Sequence, residues 1–100
     1  MTKTFWTVTE IIEQFQVDEH FLEELVAEEI ISVGRPENQT EKVFLSDELE
    51  KLRLAKILME EMDVNLPGVE IILRMRQSMF DMRRQFDEIL KDMAQTLTNR

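Results

Sequence analysis

Cysteine is absent from the 100 residues, which excludes disulfide staples, thiolate metal sites and thiol catalysis. One histidine leaves no basis for a histidine zinc site. Two glycines and two prolines supply few tight turns, so long helices are favoured over many short strands. No apolar run approaches the roughly 20 residues that span a bilayer. The opening stretch, Met1 to Trp6, lacks the apolar segment of a signal peptide, and a cytoplasmic location is expected. No nucleophile–base–acid set, glycine-rich phosphate loop or carboxylate dyad can be argued from spacing, so neither an enzyme nor a bound cofactor, metal or small molecule is expected.

What is present is acid. The formal charge is -9, the reverse of the basic balance by which nucleic-acid binders neutralise phosphate. Residues 1–50 hold 13 acids and 3 bases (Lys3, Arg35, Lys42), a net of -10; residues 51–100 hold 8 acids and 9 bases, a net of +1, and the halves sum to -9. The front of the chain is acidic and the back nearly balanced.

Hydrophobic spacing predicts four helices and one irregular segment. Thr7-Val8-Thr9-Glu10 reads as a capping box ahead of a short helix over 8–15, whose apolar face is Ile11, Ile12 and Phe15. Phe5 and Trp6, just before this cap, are expected to pack as core or staple residues. Asp18 is suited to cap a second helix over 19–29, with Phe21, Leu22, Leu25 and Val26 as its buried stripe. Two short amphipathic helices across a tight break form a helix-turn-helix pattern. Ile30-Ile31 and Val43-Phe44-Leu45 flank a polar loop over 34–42 and are expected to pair as a small β-hairpin, a wing. Ser46 is expected to cap a third helix, with Asp47 and Glu48 in its first turn and Leu49, Leu52, Ala55, Met59 and Met62 on its inner face. Asn65 fits the cap of a fourth helix, with Pro67 tolerated in the first turn and Val64 and Val69 at staple positions. Nothing breaks this helix from about 66 to 97, a length of roughly 48 Å at 1.5 Å per residue. Along it Ile72, Met75, Met79, Met82, Phe86, Ile89 and Met93 recur in steps of three and four, a coiled-coil seam suited to a homodimer, with docking on another protein as the second option. The expected division is a globular head over 1–75 and a dimerisation helix over 76–100.

The order helix-turn-helix, wing, capped helix and long dimerising helix is carried by Thr7-Val8-Thr9-Glu10-Ile11-Ile12, Val17-Asp18, Val43-Phe44 and Asp63-Val64-Asn65-Leu66-Pro67-Gly68-Val69. It resembles the MerR-like winged-helix group. Within that group it is most similar to the chaperone-modulator CbpM family, over about residues 5–97, with the Leu-Pro-Gly turn as the most specific piece. The resemblance implies an all-α fold with a small β-wing and a long C-terminal coiled-coil helix. It also implies a function: binding the J-domain of a DnaJ/CbpA-type co-chaperone, whose basic helix faces a DnaK-type chaperone, and so inhibiting the stimulation of that chaperone.

The charge of the second helix bears on this independently. Asp18, Glu19, Glu23, Glu24, Glu28 and Glu29 carry it, with no Lys or Arg among them. Each acid held about 4 Å from a phosphate is repelled by roughly 1 kcal/mol in water, more once water is excluded. A solvated, solubilising face is the plain alternative. Against it, Glu19–Glu23 and Glu24–Glu28 are like-charge i,i+4 pairs with no base interleaved to relieve them. Asp18, Glu19, Glu23, Glu24 and Glu28 are therefore the candidate partner-binding residues, and His20 is expected to be an ordinary surface histidine beside them. The competing class is a DNA-binding regulator of the MerR or heat-shock-repressor type, with Arg35, Lys42, Lys51 and Arg53 on phosphates.

Overall fold

The computed structural model describes residues 4–34 and 42–99. In chain order these form β1 (Phe5–Thr7), α1 (Val8–Phe15), α2 (Glu19–Ala27), β2 (Val43–Leu45), α3 (Ser46–Glu60) and α4 (Leu66–Thr98). The chain divides into two compact units, residues 1–70 and 71–100. The fold is thus all-α with a small β element and a long C-terminal helix. None of the described helices is long and apolar enough to cross a membrane.

Local chemistry sets the helix starts. The Thr7 side chain accepts from the Glu10 backbone N–H at 3.2 Å, while the Thr7 N–H donates to the Glu10 carboxylate at 3.1 Å, the reciprocal pair predicted for α1. Asp18 accepts from the Phe21 N–H at 2.7 Å at the head of α2. Asn65 accepts from the Gly68 N–H at 2.9 Å at the head of α4. Gly68 suits this turn because a Cβ there would lie 2.8 Å from Val64 Cγ1 and 3.1 Å from Asn65 Oδ1.

The sheet departs from expectation. β2 pairs antiparallel with β1, placing Phe5 opposite Leu45, Trp6 opposite Phe44 and Thr7 opposite Val43. Among the described residues Ile30 and Ile31 form no strand with it, and Gly34 bridges to Val43 through two hydrogen bonds of 2.9 Å. The reason lies at the end of α2. Glu29 adopts a left-handed conformation with φ 58°. Its N–H donates to the Val26 carbonyl at 3.0 Å, and the Ile30 N–H donates to the Leu25 carbonyl at 2.9 Å. This is a Schellman closure, with Ile30 and Leu25 as its buried apolar pair. The closure stops α2 at Ala27, short of the expected residue 29, and spends the Ile30 and Ile31 amide groups on the helix end. Glutamate is an ill-suited residue here. Glu29→Gly removes roughly 1–2 kcal/mol of left-handed strain against about 0.5–1 kcal/mol of glycine chain entropy. The expected result is a rise of about 4 °C in melting temperature, measured by circular dichroism.

Ser46 is also placed differently. It is the first residue of α3, with Leu45 in the cap position and no side-chain cap bond. Its hydroxyl accepts instead from the Trp6 indole N–H at 3.3 Å, and its amide donates to the Thr4 carbonyl at 3.0 Å, tying α3 to the start of the chain. Trp6 also meets the Phe15 ring edge-on, with centroids 6.2 Å apart.

The buried apolar residues among those described lie in the first unit: Ile11 from α1, Leu22 and Leu25 from α2, Ile30 and Ile31 after it, Val43 and Phe44 from β2, Leu49, Leu52 and Ala55 from α3, and Val17 and Val69. Phe21 and Val26, expected in the stripe of α2, are half-buried, as are Ile12 and Phe15 of α1. On α3 the inner face ends earlier than expected: Met59 is half-buried and Met62, beyond the helix, is exposed. Lys56 donates to the Phe15 carbonyl at 2.7 Å, pinning α3 to the C-terminal end of α1.

In the second unit, α4 leaves its whole predicted seam uncovered. Ile72, Met75, Met79, Met82, Phe86, Ile89 and Met93 are exposed, Met79 at 69%. Polar contacts sit beside the seam: Arg84 pairs with Asp81, Gln77 donates to Asp81 at 3.1 Å, and Arg76 stands over the Phe80 ring at 4.6 Å.

Candidate interaction surface on the second helix

α2 spans nine residues, and its Leu22 and Leu25 are buried. This anchoring turns the acids outward. The five candidate acids do not form one cluster. With 3.6 residues per turn, they separate into two lines.

Glu19 and Glu23 follow one line, one turn apart, and both line an open groove of about 190 Å³. The groove floor is apolar, from Val8, Leu22, Val26 and Phe44, and Lys42 stands among its lining residues. His20, Glu24 and Glu28 follow the other line. Here the His20 Nε2 lies 2.8 Å from a Glu24 carboxylate oxygen, so Glu24 has a partner on its own helix. The remaining acid, Asp18, is the N-cap acceptor of α2. Glu28 lies at the C-cap and is exposed, as are Glu19 and Glu23.

The residues considered for phosphate contact are dispersed. Arg35 lies outside the described residues. Lys42 is exposed at the β2 end of the groove. Lys51 is half-buried, with its ammonium 3.3 Å from Glu48. Arg53 is exposed on α3, in a separate polar cleft shared with Lys56, Glu60 and Glu61. Among the described residues no group of three or more His, Cys, Asp or Glu side chains could hold a metal ion.

The groove is the feature that sequence reasoning missed. Nothing in local spacing brings Phe44 and Lys42 beside Glu23 and Val26 of α2. The like-charge i,i+4 pair at Glu19 and Glu23 was the one available signal.

The chain matches the family model described as MerR HTH family regulatory protein over residues 6–91. No curated protein and no solved structure matches it. The matched span runs from β1 through the helix-turn-helix and α3 into most of α4, and the chain therefore belongs to the MerR HTH family of regulatory proteins.

Proposed function

We propose that this chain is a non-enzymatic chaperone modulator of the cytoplasm, which captures the J-domain of a DnaJ/CbpA-type co-chaperone and restrains its stimulation of a DnaK-type chaperone. One observation carries the reading: the second helix of the helix-turn-helix displays acids and no Lys or Arg. In DNA-binding relatives of this architecture that helix enters the major groove and supplies bases to phosphates and base edges. An acidic helix in the same place is repelled by phosphate and attracted by a cationic polypeptide. The resemblance to the CbpM family supplies the identity of that polypeptide. Such an attraction acts mainly on association rate and weakens with salt.

The dimer belongs to the same reading. Seven apolar residues in a heptad pattern along one helix suit a second copy, because the seam is self-complementary in spacing. Its flanks mix Arg74, Arg76, Arg83, Arg84 and Lys91 with Asp81, Asp87, Glu88 and Asp92, so no single-signed field opposes pairing.

The test is charge reversal on α2. Glu23→Lys with Glu24→Lys leaves the buried stripe untouched and is expected to keep the helical circular dichroism. J-domain affinity by isothermal titration falls about tenfold at low salt, with a smaller loss at high salt. Unchanged affinity removes the acidic face as the site.

A second reading has its own support. The family description is that of a regulatory protein with a helix-turn-helix, and a DNA-binding regulator would use Arg35, Lys42, Lys51 and Arg53 on phosphates. Lys51 is already partnered by Glu48, and α2 offers no base to the groove of a duplex. A gel shift on genomic fragments near physiological salt distinguishes this reading.

A further inference from the structure

The groove beside α2 has a shape and a charge order that specify more than a cationic partner. Its volume of about 190 Å³ is below the roughly 300–1,000 Å³ of sites that enclose drug-sized ligands. It suits one side chain better than a small molecule. Its floor, formed by Val8, Leu22, Val26 and Phe44, is apolar and matches an aliphatic group. Glu19 and Glu23 lie on the α2 line, four residues or about 6 Å apart along the helix axis, and Lys42 stands at the β2 end.

We propose that this groove takes one aliphatic side chain from a basic helical segment of a partner protein, with Glu19 and Glu23 engaging two cations one turn apart on that segment. The spacing is self-consistent: cations at i and i+4 on a partner helix repeat at the same 6 Å. Lys42 meets an acid on the far side of the partner helix and so fixes its direction. A nucleic-acid duplex has neither an aliphatic anchor for the floor nor cations for the acids. The assignment deepens, and rests on, the reading of α2 as the surface that captures a cationic polypeptide.

The probe is a hydrocarbon-stapled helical peptide with a central Leu, two Lys four residues apart on one flank and a Glu on the other. It is titrated into the full isotope-labelled chain and followed by amide chemical shifts. The expected shifts centre on Val8, Leu22, Val26 and Phe44. Ala27→Phe, which places a ring at the exposed lip of the groove, weakens the peptide at least about tenfold while leaving the melting temperature near that of the parent. Glu19→Gln with Glu23→Gln weakens it by about tenfold at low salt, and the difference closes at high salt. A peptide with Ser in place of Leu does not bind. Shifts confined to another surface, or equal affinity in Ala27→Phe and the parent, overturn the assignment. An isolated J-domain separates the two readings. If it fails to bind while the peptide occupies the groove, the J-domain reading falls and the groove stands. If it binds the parent and Ala27→Phe equally, the groove falls and the J-domain reading stands.

Discussion

Leu25→Ala is expected to lower the melting temperature of the first unit by about 12–24 °C. The side chain is fully buried, and it sits where three features meet: the inner face of α2, the Schellman closure whose carbonyl Ile30 uses, and the core that Leu52 and Ile11 enter from α3 and α1. Truncating a buried leucine typically costs about 2–5 kcal/mol, because a cavity remains after the transfer energy is lost. A unit of about 70 residues has a total stability of roughly 4–10 kcal/mol, so the loss is a large fraction of the whole. At about 4–8 °C per kcal/mol, a 3 kcal/mol loss gives the stated range. Leu45→Ala is the control. That residue lies in β2 but is half exposed, and its truncation is expected to shift the midpoint by only a few degrees. Equal shifts in the two variants contradict the assigned core.

The second large effect is on assembly. Phe86→Glu is expected to convert the proposed dimer into a monomer at micromolar concentration, with sedimentation velocity as the measurement. Phe86 is the fifth of the seven seam residues, flanked by Met82 and Ile89, and is 61% exposed in the single chain. In the paired state a carboxylate there is buried against the partner's apolar residues without a hydrogen-bonding group to meet it, a penalty of several kcal/mol. Each 1.4 kcal/mol is tenfold, so the dissociation constant rises by about 100-fold or more. Gln95→Glu adds the same charge off the seam and is expected to leave the dimer in place. A parent chain that sediments as a monomer at all concentrations contradicts the assignment of the seam to a second copy.

Much of this architecture is legible in the residues, because the signals are local. The Thr7–Glu10 box, the Asp18 cap and the Asn65–Gly68 turn each depend on groups three residues apart, and each forms as spacing dictates. The uninterrupted α4 likewise follows from the absence of any breaker after Gly68. Tertiary choices are not legible in the same way. Glu29 in a left-handed conformation carries no sequence signal, since glycine is the residue that ordinarily marks such a closure. Ile30-Ile31 therefore read as a strand when they are a helix end. Three residues, Phe5–Thr7, are too few to show a strand period, and β2 finds them across nearly forty residues of chain. The Ser46 hydroxyl looks like a cap until Trp6 is seen to claim it. The acids of α2 follow the same rule: a helical wheel separates Glu19 and Glu23 from Glu24 and Glu28, and only the placement of Phe44 and Lys42 shows which line borders a groove.

An acidic helix stands here where DNA-binding relatives place a basic one, and the proposed consequence is selection of protein over nucleic acid. The most direct measurement is a fluorescence-anisotropy titration of the full chain, at physiological salt, against a labelled J-domain and a labelled DNA duplex in parallel. Saturable binding of the J-domain, weakened by added salt, with no binding of duplex beyond a non-specific background, is the expected result. Tight, sequence-dependent binding of the duplex with no response from the J-domain would contradict it.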